Sequence, residues 1–178
     1  MNICVYCSAK DTIADRYKQL GTALGLWLAA EGHTLVFGGA TGGLMTAVSK
    51  AAFEAGGNVI GIVPEHIERA GRRSPWCTEK HVVQTMNERK QLMKQTADCF
   101  VCLPGSYGTL DEMFDVIASG TVAEHKKPIF ILNYEGFYEP LIKQIELMKD
   151  EVFIPLKEQY KPQFVNTLDE LKTLLTNN

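Results

Sequence analysis

Short, near-continuously apolar runs recur along the chain at Ile3 to Tyr6, Thr34 to Phe37, Asn58 to Val63, His81 to Gln84, Cys99 to Leu103 and Ile129 to Leu132. Their length and the turn residues that bound them predict six strands. Between the first two, Leu20, Leu24, Trp27 and Leu28 fall at i, i+4, i+7 and i+8, one face of an amphipathic helix. After Gly43, the small residues Ala47, Ala51 and Ala55 alternate with Leu44 and Val48 in a helix able to approach a sheet closely. Leu110, Met113, Phe114 and Ile117 repeat the helical period, as do Leu141, Ile142, Ile145 and Met148. Near the end, Thr167 and Glu170 form a capping-box pattern ahead of Leu168, Leu171, Leu174 and Leu175.

Strands apolar at every position are buried on both faces, and strands alternating with helices imply right-handed crossovers. The expected fold is therefore α/β: one doubly wound, Rossmann-like parallel sheet with helices on both faces, spanning residues 1–178 as a single nucleotide-binding domain. The stretch Glu65 to Lys80, containing Gly71, Arg72, Arg73 and Pro75, lacks periodicity and reads as a mobile loop beside the site.

Composition narrows the function classes. With 18 Lys and Arg against 21 Asp and Glu, the chain has no general basic field to hold nucleic acid or an anionic membrane. No apolar run approaches the roughly 18 residues of a spanning helix. No basic leader precedes Ile3, so a cytoplasmic location is expected. Two C-x-x-C spacings, Cys4/Cys7 and Cys99/Cys102, suggest a zinc site, but both lie in strands, where residues i and i+3 face opposite sides. No metal is expected.

In open α/β sheets, ligands bind beyond the carboxyl ends of the strands, where helix N-termini attract anions. Two Gly-rich loops fit that position: Gly38-Gly39-Ala40-Thr41-Gly42-Gly43, and Pro104-Gly105-Ser106-Tyr107-Gly108-Thr109. Neither carries G-x-G-x-x-G or a Gly-Lys-Ser/Thr ending, so dehydrogenase and NTPase readings fall away. What remains is a site for a monophosphate with ionisable residues beside it. Glu112 lies one turn into the helix after the second loop, and Met86-Asn87-Glu88-Arg89-Lys90 opens another helix directly after a strand. Arginine offers a forked donor to an anion, and a carboxylate can stabilise an oxocarbenium-like centre or orient water.

At these residues the chain resembles the Lonely Guy family, cytokinin-activating phosphoribohydrolases often mislabelled as lysine decarboxylases. The family pattern Pro-Gly-Gly-x-Gly-Thr-x-x-Glu is similar to Pro104 to Glu112, and its Glu-Arg-Lys to Glu88-Arg89-Lys90. Further similarity lies in Val5-Tyr6-Cys7-Ser8, Gly38-Gly39, Gly43-Leu44-Met45 and Lys127-Pro128, covering residues 2 to 150. The resemblance implies hydrolysis of the N-glycosidic bond of AMP or a cytokinin riboside monophosphate to free base and ribose 5-phosphate, with no cofactor and in a homodimer. It makes Arg89 and Glu112 catalytic. Ser8, Gly39, Met86, Lys90, Gly105, Ser106, Tyr107, Gly108 and Thr109 become the candidate substrate contacts. Departures from the family pattern at Ser106, Asn87, Thr46 and Ala118 to Thr121 are expected to line the base or ribose pocket. The competing class is a non-catalytic nucleotide or cofactor carrier of the same fold. Retention of Glu112 opposes it, because a carboxylate beside an anion costs a pure binder affinity.

Overall fold

A computed structural model describes residues 1–155 and 160–177. The chain runs β1 (Asn2–Tyr6), α1 (Asp15–Ala30), β2 (Thr34–Phe37), α2 (Gly43–Glu54), β3 (Val59–Pro64), α3 (Glu65–Arg69), β4 (Glu79–Val83) and α4 (Met86–Thr96). It continues through β5 (Cys99–Cys102), α5 (Tyr107–Thr121), β6 (Ile129–Leu132), α6 (Glu139–Asp150), β7 (Gln163–Val165) and α7 (Leu168–Thr176). The strands form one parallel sheet in the order β4-β3-β2-β1-β5-β6-β7. The chain winds outward from β1 to β4 and then returns to place β5 on the other side of β1. That reversal opens a crevice at the carboxyl ends of β1 and β5.

Side chains alternate across each strand and so divide the core in two. Ile3, Val5, Leu35, Phe37 and Val101 pack with Leu24 and Leu28 of α1, Val48 of α2 and Leu171 of α7. Cys4, Tyr6, Val36, Phe100 and Ile131 pack on the opposite face with Met93 of α4 and Met113 and Val116 of α5. The same alternation separates the members of each C-x-x-C: Cys7 and Cys99 lie in the first layer, Cys4 and Cys102 in the second. Burial pushes all four thiols upward, away from the thiolate form that binds metal.

The structure differs from the sequence expectation in β4, which starts two residues before His81 and has no fully buried residue, and in two further places. The segment Glu65 to Lys80 is built rather than featureless. It begins with α3, and its later part is tied to the first Gly-rich loop by Thr41 N–H to Arg72 O (2.8 Å), Ser74 N–H to Gly39 O (2.8 Å) and an antiparallel bridge between Ala40 and Arg73. A seventh strand, β7, lies along β6. Among the described residues, no helix is long and apolar enough to cross a membrane.

α1 and α2 pack closely because Gly25 faces the α2 backbone. A β-carbon at position 25 would overlap the carbonyl oxygen of Val48 and press on Ala51 and Ala52. Alanine is the better helix former by about 1 kcal/mol, but overpacking costs about 1–3 kcal/mol. Gly25→Ala should therefore lower the thermal midpoint, and a raised midpoint would show that the helices can separate freely.

Candidate active site

α4 starts at a capping box: the Thr85 hydroxyl accepts from Glu88 N–H (3.1 Å), and the Glu88 carboxylate accepts from Gln84 N–H (2.8 Å). This fixes the first turn so that Arg89 points back over the sheet. Its Nε donates to Ile62 O at the end of β3 (3.2 Å), and its guanidinium lies against Gly38 at the end of β2. Any β-carbon at position 38 would occupy the same space as that guanidinium. From the far side of the crevice, Glu112 of α5 meets it, with Oε1 3.0 Å from Arg89 Nη1 and side chains 6% and 8% exposed respectively. Desolvation raises the Glu112 carboxyl above its ordinary range, and the Arg89 charge offsets only part of that shift.

The two Gly-rich loops resemble each other in sequence but differ in what their N–H groups do. In the first, Thr41 N–H bonds Arg72 O, Gly42 N–H the Thr46 hydroxyl (2.7 Å), Gly43 N–H the Asp11 carboxylate (2.9 Å) and Met45 N–H Ser8 O (3.1 Å). That helix start is closed to a ligand. In the second, the N–H groups of Tyr107, Gly108 and Thr109 have no acceptor among the described residues, and Ser106 makes no side-chain cap. Gly105 leaves room for Thr109, whose side chain a β-carbon there would overlap, while a β-carbon at Gly108 would meet only open space. The start of α5 is thus an uncovered anion cradle.

A cavity of about 200 Å³ joins these parts, lined by Ser8, Arg72, Arg89, Ser106, Thr109 and Glu112 among others. Ser8 and Ser106 also border a second, apolar chamber of about 240 Å³ formed with Ile13, Tyr17, Gly105 and Phe137. The remaining sequence candidates lie elsewhere. Lys90 pairs with Asp111 (3.0 Å) and Asp115 (3.7 Å) on the outer side of α4 and α5, in a separate cavity of about 510 Å³. Gly39 serves its turn, with φ of +63° and its carbonyl bonded to Ser74. Met86 touches the site only through its sulfur, 3.9 Å from Arg89 Nη1, and the Tyr107 side chain is 90% exposed.

Of the departures from the family pattern, Ser106 alone lines the cavity that holds Arg89 and Glu112. Thr46 closes the start of α2, and Asn87 and Ser119 border the cavity around Lys90. Sequence reading gave no role to Arg72, Met45 or Ile67 in the site. For Arg72 no local sequence signal was available, since Glu68 stands four residues before it and the contacts that leave Arg72 at the cavity are made through the fold.

A family model described as possible lysine decarboxylase matches residues 45–175. A cytokinin riboside 5'-monophosphate phosphoribohydrolase of Oryza sativa subsp. japonica is 39% identical over 152 residues; the match covers 85% of this chain and 63% of that protein, so the chain spans less than two thirds of that relative's length. A protein of the same name from Rhodococcoides fascians is 38% identical over 156 residues, covering 86% of this chain and 78% of that protein. Among solved structures, the molybdenum cofactor binding protein of Rippkaea orientalis superposes with a TM-score of 0.75 at 20% identity, covering 99% of this chain and 95% of that one. The molybdenum cofactor carrier protein of Chlamydomonas reinhardtii superposes at 0.73 and 20% identity, covering 99% and 96%. These two structures share the fold.

Proposed function

Because the chain belongs to the Lonely Guy family, whose model carries the lysine decarboxylase description, we propose that it hydrolyses the N-glycosidic bond of a nucleoside 5'-monophosphate, AMP or a cytokinin riboside monophosphate. The observation that carries this reading is the buried Arg89–Glu112 pair beside the uncovered start of α5. The phosphate rests on the N–H groups of Tyr107, Gly108 and Thr109, which places the ribose toward Glu112. The carboxylate then faces the positive charge that builds as the bond from C1' to the base breaks. Water supplies the new C1'–O bond, the bond's electron pair leaves with the base, and the water proton ends on that base. Arg89 holds the carboxylate in place and offers its fork to the substrate.

No lysine lines this cavity among the described residues, so the decarboxylase wording finds no Schiff-base amine there. The second reading, a non-catalytic nucleotide or cofactor carrier, is favoured by the two structural neighbours, whose likeness reaches only the fold. It leaves the placement of Glu112 beside an anion cradle without a purpose. The working form is a cytoplasmic homodimer with no metal or organic cofactor. Exposed Tyr107, Phe114 and Val122 on and after α5 support the dimer, and the five free cysteines support a reducing compartment. Light scattering tests the dimer.

Purified protein should release adenine from AMP without added metal and leave adenosine largely untouched, because phosphate binding is what positions the glycosidic bond. Equal turnover of the two in a free-base assay would count against this.

A further inference from the structure

Arg72 lies on the crossover from β3 to β4 and lines the cavity that contains Arg89 and Glu112. The other cations around it are neutralised: Arg69 pairs with Glu65, while Arg73 Nη1 (3.1 Å) and Lys80 Nζ (2.6 Å) share Oε1 of Glu68. Of these four, Arg72 alone lines the cavity, and it alone has no ion pair and no side-chain hydrogen bond among the described residues. Its main chain, by contrast, is held firmly. Arg72 O accepts from both the N–H (2.8 Å) and the hydroxyl (3.2 Å) of Thr41, and the next residue bridges to Ala40. The fold therefore fixes the origin of this side chain at the mouth of the cavity and, among the described residues, pairs it with no acid.

Inside the cavity the charges of Arg89 and Glu112 offset each other. What is left uncompensated is the partial positive charge at the start of α5 and the full charge of Arg72. A phosphate monoester carries close to two negative charges at neutral pH, and a neutral nucleoside carries none. We infer that Arg72 is a substrate-binding residue that grips the 5'-phosphate from the side opposite the α5 N–H groups and sets the preference for phosphorylated over neutral nucleosides. This assignment rests on the nucleotide reading above. Arg72 contributes in the ground state and the transition state alike, so its loss acts on KM and not on kcat.

The test uses ribose 5-phosphate, which has no glycosidic bond to a base and so reports binding alone. In calorimetric titrations, Arg72→Met should weaken ribose 5-phosphate binding about tenfold or more, the scale of a lost charge-assisted hydrogen bond. Arg72→Lys should recover part of that loss. Arg73→Met removes the same formal charge one residue away from a side chain already paired with Glu68, and should change binding by less than about twofold. In the assay, Arg72→Met should raise KM for AMP with kcat nearly unchanged, and so shrink the ratio of AMP to adenosine turnover. Undiminished ribose 5-phosphate binding by Arg72→Met, or an equal loss in Arg73→Met, would overturn the assignment. If wild type releases no base from AMP while Arg72→Met still loses ribose 5-phosphate, the hydrolase reading fails and the assignment of Arg72 stands.

Discussion

Glu112→Gln is expected to lower kcat for AMP hydrolysis by roughly 10² or more while AMP binds as well as before or better. The asymmetry follows from when the charge is needed. The ribose is neutral in the bound substrate and cationic only as the bond breaks, so the carboxylate acts on the transition state. In the ground state it repels the phosphate, and glutamine removes that repulsion. Burial keeps the Glu112 carboxyl above the ordinary carboxylate range, so kcat/KM should fall on acidification at a higher pH than an exposed carboxylate would give. Single-turnover measurement of adenine release, paired with calorimetric titration of AMP, separates the two effects. Unchanged turnover in the variant would remove Glu112 from the chemistry, whereas AMP binding without any adenine release by wild type would leave the carrier reading in its place.

Arg89→Ala should weaken binding and turnover together, by about 2–4 kcal/mol in kcat/KM, because a desolvated forked cation contributes at both stages. Two pH signatures accompany the loss. Arg89 draws the Glu112 carboxyl downward, so its removal should move the acidic limb of the rate profile to still higher pH. Stability carries the same sign. A buried carboxyl with a raised folded-state pKa favours the fold at low pH, and that contribution is lost as pH rises through the folded value. Removing one partner of a buried pair costs about 3–5 kcal/mol while the other stays charged. The thermal deficit of Arg89→Ala should thus be large at alkaline pH and smaller on acidification, where Glu112 takes up a proton. A deficit independent of pH would mean that the carboxylate does not depend on Arg89.

Hydrophobic period carried most of the architecture. Thr34–Phe37 and Ile129–Leu132 have the bounds read from sequence, and facing of the cysteine pairs followed from strand alternation alone. β7 escaped because it is three residues long with one buried, and α3 because it is a five-residue turn without a buried side chain. Arg89 and Glu112 stood out as candidates because one lies in a helix that opens directly after a strand and the other one turn into the helix that follows a Gly-rich loop, and the structure brings the two together. Lys90, one residue beyond Arg89 and so about 100° further round the axis, lies toward Asp111 and outside that cavity. The difference between the two Gly-rich loops was not local at all. Asp11 and Ser8 before the first loop and Arg72 after it reach its N–H groups through the fold, and no spacing rule in one sequence reveals that.

The guanidinium of Arg89 occupies the volume in which residue 38 would carry a side chain. Positions 38 and 89, 51 residues apart, are consequently not free to drift independently. A lineage that acquires even alanine at 38 pushes the guanidinium out of its present place, whereas one that has given up the arginine is released to vary there. In whichever order the two changes come, a side chain at position 38 is incompatible with the guanidinium where it now lies, which makes that position a marker for descendants of this fold that have lost the Arg89–Glu112 pair and kept the scaffold.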